Sequence, residues 1–258
     1  MKNVALITGA STGIGKQFAY IHAEKKGDLV LVARSKDKLD TLKAELEKKH
    51  GVEVLVIAKD LSLIDSPTEI FEELETKGIA VDYLINNAGF GGHGKFHERN
   101  WGEDEQMIML NIMALTKLTR LFLTGMVKRN SGRVLNVSST ASLMPGPLQA
   151  VYFATKAFVT SFSNAIAEEL SDTNISITAL LPGATKTEFA ATSGMDKTAL
   201  FKNAYSARSV AEDGYNGMLK GKLDVISGVP FSMKMQLPLL PMMPKRMLMK
   251  MVRKMQEV

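Results

Sequence analysis

The sequence predicts a single α/β domain in which helices cover both faces of a mostly parallel, seven-stranded sheet. Short apolar runs alternate with segments of helical periodicity from the N-terminus to about residue 228. The short spacing between successive runs is typical of βαβ units. Neither a proline- or serine-rich linker nor an internal repeat divides the chain. The right-handed crossover rule then places helices on both faces of the sheet, which gives a doubly wound domain.

The predicted elements follow in order along the chain. Strands are predicted, as buried apolar runs, at residues 3–8, 28–35, 52–60, 81–89, 132–139, 175–183 and 223–228. Helices are predicted between them, including a long helical region within 100–130 and a long helix over 150–171. We therefore assign residues 1–229 to the domain, with 184–215 as a lid region over the substrate. Residues 230–258 form a C-terminal extension.

Composition limits the classes of function. Of the 258 residues, 45% are hydrophobic and 23% are charged, as in an ordinary globular protein. The chain has no cysteine, which excludes disulfides and thiolate metal sites and fits a reducing compartment, so we expect a cytoplasmic protein. The four histidines lack ligand spacing, so we predict no metal site, and His22 and His50 are expected to be solvated.

The net charge of +5 lies in the C-terminal extension. Residues 230–258 contain six basic residues and one acidic residue, so the rest of the chain is neutral overall. A nucleic-acid-binding protein would carry a general basic face, so no nucleic-acid partner is expected.

A glycine-rich turn follows the first predicted strand, in TGASTGIG at residues 8–15. Gly9, Gly13 and Gly15 are spaced to turn tightly, to bring backbone N–H groups near a phosphate and to let a helix pack on a strand. The pattern is GxxxGxG rather than GxGxxG, so a glycine-rich turn without a ligand is the alternative.

A second motif places three chemically active side chains around the fifth strand. Tyr152 and Lys156 are four residues apart and share one face if the segment is helical. A tyrosine ordinarily titrates near pH ~10, and a lysine cation one turn away would lower the pKa. Ser139 ends the strand, where its hydroxyl could polarise a substrate carbonyl. The alternative is an unrelated serine, tyrosine and lysine on a strand and a surface helix.

With TGASTGIG, NNAG, Ser139, YFATK and LPGATKT in this order, the chain resembles the short-chain dehydrogenase/reductase superfamily of the classical type, over about residues 3–228. The resemblance implies a Rossmann-like fold in which Tyr152 protonates a carbonyl oxygen as hydride arrives. Lys156 would lower the pKa of Tyr152 and bind the nicotinamide ribose. Ser139, rather than Ser138, would hold the substrate oxygen, and Asn111 would complete a proton relay.

The resemblance also implies a set of residues that bind the dinucleotide. The pyrophosphate would lie against the glycine turn, at Gly9, Ser11, Thr12, Gly13, Ile14 and Gly15, and the adenine beside Asp60 and Leu61. The NNAG residues Asn86, Asn87, Ala88 and Gly89 would support the central strand and line the ribose. The stretch after the sixth strand, with Pro182, Gly183 and Thr187, would include the threonine that meets the carboxamide. Tyr152 and Lys156 would also contact the cofactor.

The end of the second strand indicates which dinucleotide binds. Proteins that prefer NAD usually carry an acid there, whereas this chain has Ala33 followed by Arg34. A guanidinium can pair with a 2′-phosphate bidentately, and Lys38 could add a second cation. We therefore predict NADP in preference to NAD, the alternative being a solvated Arg34.

The sequence therefore predicts an NADP(H)-dependent oxidoreductase that interconverts a carbonyl and a secondary alcohol. The alternative is a catalytically silent regulatory or scaffold protein of the same fold, but the serine, tyrosine and lysine are all intact. The loops predict an apolar pocket, because they contain Met144, Pro145, Leu148, Phe189 and Met195. The expected substrate is therefore a hydrophobic ketone, a ketoacyl thioester or a steroid-like molecule. His93 and Phe96 lie in a glycine-rich loop, where either could contact the substrate, although a mobile loop residue is the favoured interpretation.

The two long helices and the C-terminal extension are expected to contact other molecules or other parts of the chain. The family usually pairs the two long helices, here about 103–129 and 150–171, in homodimers or homotetramers. The extension predicts a helix from Pro244 with Met247, Leu248, Met251, Val252 and Met255 on one face and Arg246, Lys250, Arg253 and Lys254 on the other. Such a helix could form a lid or subunit contact, or a peripheral membrane contact.

Overall fold

A parallel sheet forms the centre of the computed structural model, which describes residues 1–195 and 204–257. Within these residues the sheet has seven strands in the order β3-β2-β1-β4-β5-β6-β9, and every pairing is parallel. The strands are β1 Ala5–Thr8, β2 Leu29–Ala33, β3 Val54–Ala58, β4 Tyr83–Asn86, β5 Gly132–Val137, β6 Ile175–Pro182 and β9 Asp224–Ser227. A small separate pair consists of β7 Thr185–Lys186 and β8 Tyr205–Ser206. The predicted fold class is confirmed.

Helices cover both faces of this sheet. They are α1 Gly13–Glu24, α2 Lys36–His50, α3 Ser66–Thr76, α4 Trp101–Ile108, α5 Leu115–Arg129, α6 Ala150–Glu169, α7 Phe189–Thr192, α8 Ala207–Leu219, α9 Phe231–Gln236 and α10 Lys245–Gln256. One buried cluster, with Phe18 and Tyr215, lies under α1, α2 and α8, and a second, with Phe122, lies under α3 and α5. Strands β1 and β2 are buried throughout, as their continuous apolar sequences predict. The predicted lid region, 184–215, lies partly outside the described residues.

The strand order places a crevice between β1 and β4. The chain runs outward from β1 in one direction and from β4 in the other, so the connections leave the carboxyl ends of these two strands on opposite faces. Ligands of doubly wound proteins bind at this point. The fold therefore gathers the loops after β1, β4, β5 and β6 around one cavity.

The helical region between residues 100 and 130 contains an irregular turn. A π-helical segment, Met109–Ala114, joins α4 to α5 into one run, Trp101–Arg129. By length and composition this run could cross a membrane, although core helices of globular proteins meet the same test. Its inner side packs against the sheet through Leu118, Phe122 and Met126.

His22 is buried, and the prediction that it is solvated is wrong. Its side chain is 2% exposed, because the inner face of α1 packs on α8. The ring nitrogens lie 2.7 Å from the Tyr215 hydroxyl and 2.7 Å from the Asn3 carbonyl oxygen. Burial lowers the pKa of His22, and the nearby Asn3 carbonyl opposes that shift. His50, at the end of α2, is half-buried.

The C-terminal extension folds back onto the domain. It consists of α9, a 3₁₀ segment Leu237–Met242, and α10. Leu237, Leu240, Leu248 and Val252 are buried in a third cluster that also contains Tyr152 and Phe153. The single apolar face predicted for α10 is therefore divided: Leu248 and Val252 face inward, whereas Met247 and Met251 are exposed.

Candidate active site

A cavity of about 600 Å³ lies at the carboxyl ends of the central strands. One arm, which we call the nucleotide groove, runs from the glycine turn to Arg34 and Asp60. The other, which we call the reaction chamber, is bounded by Ser139, Tyr152 and Phe189. Predicted site residues from well-separated parts of the sequence thus line one continuous space.

The glycine turn has the geometry that a phosphate site requires. Gly9 and Gly13 have φ values of +65° and +54°, in the left-handed region that favours glycine. A Cβ atom on Gly15 would lie 2.2 Å from the Gly9 carbonyl oxygen and 2.5 Å from Nδ2 of Asn87, so only glycine fits. The first turn of α1 begins at Gly13 and directs backbone N–H groups towards the groove, where they can bind an anion. Ser11, Thr12 and Ile14 line the same wall, whereas Gly15 packs behind it.

The far end of the nucleotide groove carries two basic side chains. The Arg34 side chain is exposed on the groove and, within the described residues, has no ion-pair partner. Lys38 also lines the groove, with its Nζ 3.2 Å from Oε1 of Glu188. Asp60 is held in place because its Oδ1 accepts hydrogen bonds from the backbone N–H and the hydroxyl of Ser62, at 2.9 and 2.7 Å. Together with Leu61, these residues fit an adenosine that carries a 2′-phosphate.

The NNAG residues divide into two roles. Asn86 is buried behind the cavity, where its Nδ2 donates to Oγ1 of Thr119 at 3.0 Å and to Oδ1 of Asn136 at 2.9 Å. It therefore supports the central strands rather than contacting the groove. Asn87, Ala88 and Gly89 line the groove, and Pro182, Gly183 and Thr187 line it after β6. Asn87 also donates to the Thr8 carbonyl oxygen at 3.0 Å, which ties the glycine turn to β4.

Tyr152 and Lys156 lie together on the inner face of α6, as their spacing predicts. Nζ of Lys156 is 5.9 Å from the centroid of the Tyr152 ring and donates to the Val137 carbonyl oxygen at 2.8 Å. Burial lowers the pKa of Lys156 to about 8. Burial also raises the pKa of Tyr152 to about 12, and the hydrogen bond with Ser139 opposes that shift.

The pKa of Tyr152 is therefore raised overall, and the expected lowering by Lys156 stays a prediction. The desolvation of the phenol exceeds the favourable effects around it, because the ring lies between Phe153 and Phe189. Tyr152 holds its proton firmly at neutral pH. The phenol is therefore in the protonated form, which is the form that the reducing direction requires.

The structure distinguishes Ser139 from Ser138. The Ser138 hydroxyl is buried and donates to the Lys156 carbonyl oxygen at 2.9 Å, which fixes α6 against β5. Ser139 accepts a hydrogen bond from the backbone N–H of Ala141 at 3.1 Å and lines the reaction chamber. The Ser139 hydroxyl also has a hydrogen bond with Tyr152 and a long one, at 3.4 Å, to the Pro182 carbonyl oxygen. A substrate oxygen in the chamber can replace the long, weak contact.

Asn111 lies one layer behind the cavity, in the π-helical turn. Its Nδ2 donates to the Phe90 carbonyl oxygen at 3.0 Å and to Oγ1 of Thr155 at 3.1 Å. A Cβ atom on Gly89 would lie 2.9 Å from Oδ1 of Asn111 and 3.4 Å from Nζ of Lys156, so the two side chains approach the same space beside Gly89. A π-helical turn often marks a functional site, since it redirects a side chain out of the helical register. The relay role of Asn111 stays a prediction, and this geometry is compatible with it.

A polar network that the sequence did not predict holds the C-terminal helix at the chamber. Nε2 of Gln149 donates to Oε1 of Gln256 at 2.8 Å, and both side chains are buried. His93 bonds the Gln256 carbonyl oxygen through Nε2 at 2.8 Å, so His93 has a partner rather than a free ring. Arg99 donates to the His93 carbonyl oxygen at 2.9 Å and forms an ion pair with the buried Asp104. These contacts join residues far apart in sequence, and the buried glutamines offered no local signal.

The reaction chamber is largely apolar. Met144, Phe189 and Met195 line it, as expected from the loops, whereas Pro145, Leu148 and Phe96 do not. The C-terminal extension adds Met233, Val252 and Met255 to its wall. Methionine side chains adapt readily to the shape of a ligand. The chamber therefore suits a hydrophobic molecule.

Fold and site together define a nucleotide-binding α/β protein in which a serine, a tyrosine and a lysine face the end of a dinucleotide groove. Residues 3–198 match the short chain dehydrogenase family, and the chain belongs to that family. This confirms the resemblance seen in the sequence motifs.

Curated relatives and solved structures agree with this assignment. The chain is 36% identical over 184 residues to the very-long-chain 3-oxoacyl-CoA reductase of Macaca fascicularis. It is 38% identical over 183 residues to the mouse 17-beta-hydroxysteroid dehydrogenase type 3. Each alignment covers 69% of this chain but only 58% of the relative. A short-chain dehydrogenase from Sphingobium yanoikuyae, solved in complex with NADPH, is 31% identical with a TM-score of 0.84, and the superposition covers 99% of this chain and 98% of that one.

Proposed function

We propose that the protein is an NADP(H)-dependent oxidoreductase that interconverts a carbonyl and a secondary alcohol on a hydrophobic substrate. The observation that carries this proposal is that Ser139, Tyr152 and the buried Lys156 together line the cavity. These residues lie where the nucleotide groove meets the apolar chamber. The geometry suits chemistry between a bound dinucleotide and an apolar ligand.

The side chains supply position and a proton. In the reducing direction the Ser139 hydroxyl holds the carbonyl oxygen, and Tyr152 donates its phenolic proton to that oxygen. NADPH, when bound, supplies the hydride to the carbonyl carbon. Lys156, which is cationic below a pKa of about 8, stabilises the negative charge that the tyrosine acquires. In the oxidising direction the same groups act in reverse.

The preference for NADP rests on the charge at the end of β2. Arg34 is available for a 2′-phosphate, and within the described part of the chain no carboxylate stands at the end of this strand to repel it. The NADPH complex of the Sphingobium yanoikuyae dehydrogenase supports the same preference.

The substrate class follows from the lining of the chamber. The names of the two relatives above suggest 3-oxoacyl thioesters and 17-ketosteroids as candidates. Both present a ketone on a large apolar body, which fits a wall built from Met144, Phe189, Val252 and Met255.

A substrate panel tests the proposal. Purified protein is mixed with NADPH and, in separate reactions, with alkyl ketones, 3-oxoacyl thioesters and ketosteroids, and the loss of NADPH absorbance is followed. We expect turnover with at least one class and a much weaker rate with NADH. Binding of NADPH without turnover on any member would instead favour a silent regulatory or scaffold protein.

Assembly and location complete the proposal. The outer surface of α6 exposes Phe158, which stacks on Phe162 with ring centroids 5.8 Å apart, and α5 exposes Val127. An apolar surface on two long neighbouring helices supports a homodimer or homotetramer. The cysteine-free composition supports a cytoplasmic location.

A further inference from the structure

The C-terminal extension presents a second apolar surface, directed away from the domain. Phe231, Met235, Leu239 and Met242 are all exposed, at 79%, 63%, 57% and 82% of their surface. Phe231 and Met235 are four residues apart in α9, and Leu239 and Met242 are three residues apart in the 3₁₀ segment, so each pair lies on one side of its helix. The inward side chains Leu237 and Leu240 are buried against the domain. The extension is therefore apolar on two sides, although only one of them is covered.

The outer surface of α10 is also apolar and adds positive charge. Met247 and Met251 are exposed one turn apart, and Lys250 and Lys254 form an exposed row three residues further on. Arg253 is paired with Glu257, but Lys250 and Lys254 have no ion-pair partner among the described residues. We call Phe231, Met235, Leu239, Met242, Met247, Met251, Lys250 and Lys254 the outer face.

The sequence places nearly all of the protein's unbalanced charge beside this surface. Residues 230–258 carry six basic residues and one acidic residue, and the rest of the chain is neutral. Methionine, leucine and phenylalanine beside a row of lysines are what an interfacial helix places against acyl chains and anionic headgroups. A second copy of the chain is a poorer occupant, because a two-fold contact would oppose identical sets of cations.

We propose that the outer face binds the surface of a membrane that contains anionic phospholipid. The inner side of the same segment forms part of the reaction chamber wall through Met233, Val252 and Met255. The same segment thus contributes to the chamber wall and carries the proposed lipid-binding surface. Contact is peripheral, with α9 and α10 lying along the interface rather than across it.

Vesicle binding tests this proposal with the full-length protein. Vesicles of phosphatidylcholine alone are compared with vesicles that also contain phosphatidylserine, and the bound fraction is measured by flotation at low and at high salt. We expect binding to the phosphatidylserine vesicles that weakens as salt is added, and little binding to phosphatidylcholine alone. Absence of binding at low salt, or equal binding to both compositions, would overturn the proposal.

Two pairs of variants separate charge from apolar contact. Lys250→Gln with Lys254→Gln is expected to weaken binding roughly 25-fold, since each cation near an anionic surface strengthens binding about fivefold. Lys48→Gln with Lys49→Gln removes the same charge from the exposed end of α2 and should change binding little. Equal losses in the two double variants would show that net charge alone is responsible and would overturn the assignment to the outer face.

The apolar contribution has its own matched control. Met235→Ser with Leu239→Ser should abolish most of the binding, whereas Leu63→Ser with Ile64→Ser, which alters side chains of 62% and 51% exposure elsewhere, should not. NADPH binding and the thermal unfolding midpoint of each variant are measured to establish that the fold is intact. The mass of each variant in solution is measured by light scattering. If Met235→Ser with Leu239→Ser converts a dimer into a monomer and leaves vesicle binding unchanged, the outer face is a subunit contact and the proposal is wrong.

Discussion

Replacing Lys156 by methionine should stabilise the folded protein at neutral pH while it removes the cation from the site. The side chain is 5% exposed, and burial lowers its pKa from 10.5 to about 8. A shift of this size corresponds to about 3 kcal/mol of unfavourable free energy for keeping the ammonium in the folded state at pH 7. The substitution also leaves the Val137 carbonyl oxygen without its 2.8 Å partner, which costs about 1–3 kcal/mol. A net gain of about 1 kcal/mol in the free energy of unfolding is therefore expected.

The pH dependence makes this prediction specific. Because the folded pKa is lower than the unfolded pKa, the cost is fully present below about pH 8 and disappears as the pH rises towards 10.5. The Lys156→Met variant should therefore change from about 1 kcal/mol more stable than wild type to about 2 kcal/mol less stable across that range. Urea unfolding at a series of pH values measures it, and the variant should have lost turnover. A difference that stays constant with pH would refute the account of a buried, destabilised ammonium.

Three further predictions concern the cofactor, the core and the assembly. Arg34→Ala should weaken NADPH binding by roughly tenfold to a hundredfold and leave NADH binding nearly unchanged in a fluorescence titration, and equal losses would exclude a 2′-phosphate contact. Burial lowers the pKa of His22, so protonation of this histidine favours the unfolded chain and stability should fall as the pH drops below about 6.5. The midpoint of urea unfolding should show this fall in the wild type and show much less of it in His22→Gln. Phe158→Ser should lower the mass that light scattering measures from that of an oligomer towards that of a monomer. Tyr205→Ser, which changes a side chain of similar exposure (39%, against 38% for Phe158), should not lower it. An unchanged mass in both variants would exclude the α6 surface as the subunit contact.

The sequence predicted the features that depend on local pattern. The parallel strands could be predicted from the positions of the apolar residues alone, because a strand buried on both faces is a continuous apolar run bounded by turns. The glycine turn was predictable for a similar reason: positive φ at Gly9 and Gly13 and the close approach at Gly15 restrict residue type directly. The four-residue spacing of Tyr152 and Lys156 placed both on one face of α6.

Features that depend on tertiary packing were predicted less well. His22 lies in an amphipathic helix, and nothing near it in sequence reveals that Tyr215, on α8, faces its ring. The effect of Lys156 on Tyr152 was anticipated from charge alone, whereas the burial of the phenol, which acts in the opposite direction, is set by Phe153 and Phe189 in the folded protein.

The C-terminal extension illustrates the same limit. Its amphipathic pattern was visible, but the division of the α10 methionines and leucines between an inner and an outer side depends on where the helix docks. That docking uses Gln149, Gln256 and His93, which are joined only in the folded chain.

The most direct test of the central claim is the turnover of Tyr152→Phe on the substrate that the panel identifies. The substitution removes the proton donor and keeps the ring, which packs with centroids 6.1 Å from Phe153 and 5.4 Å from Phe189. If Tyr152 is the general acid, kcat should fall by roughly 10²–10⁴-fold while the Kd for NADPH stays within about twofold of wild type. A variant that keeps most of its kcat would contradict the assignment of Tyr152 and, with it, the proposed mechanism.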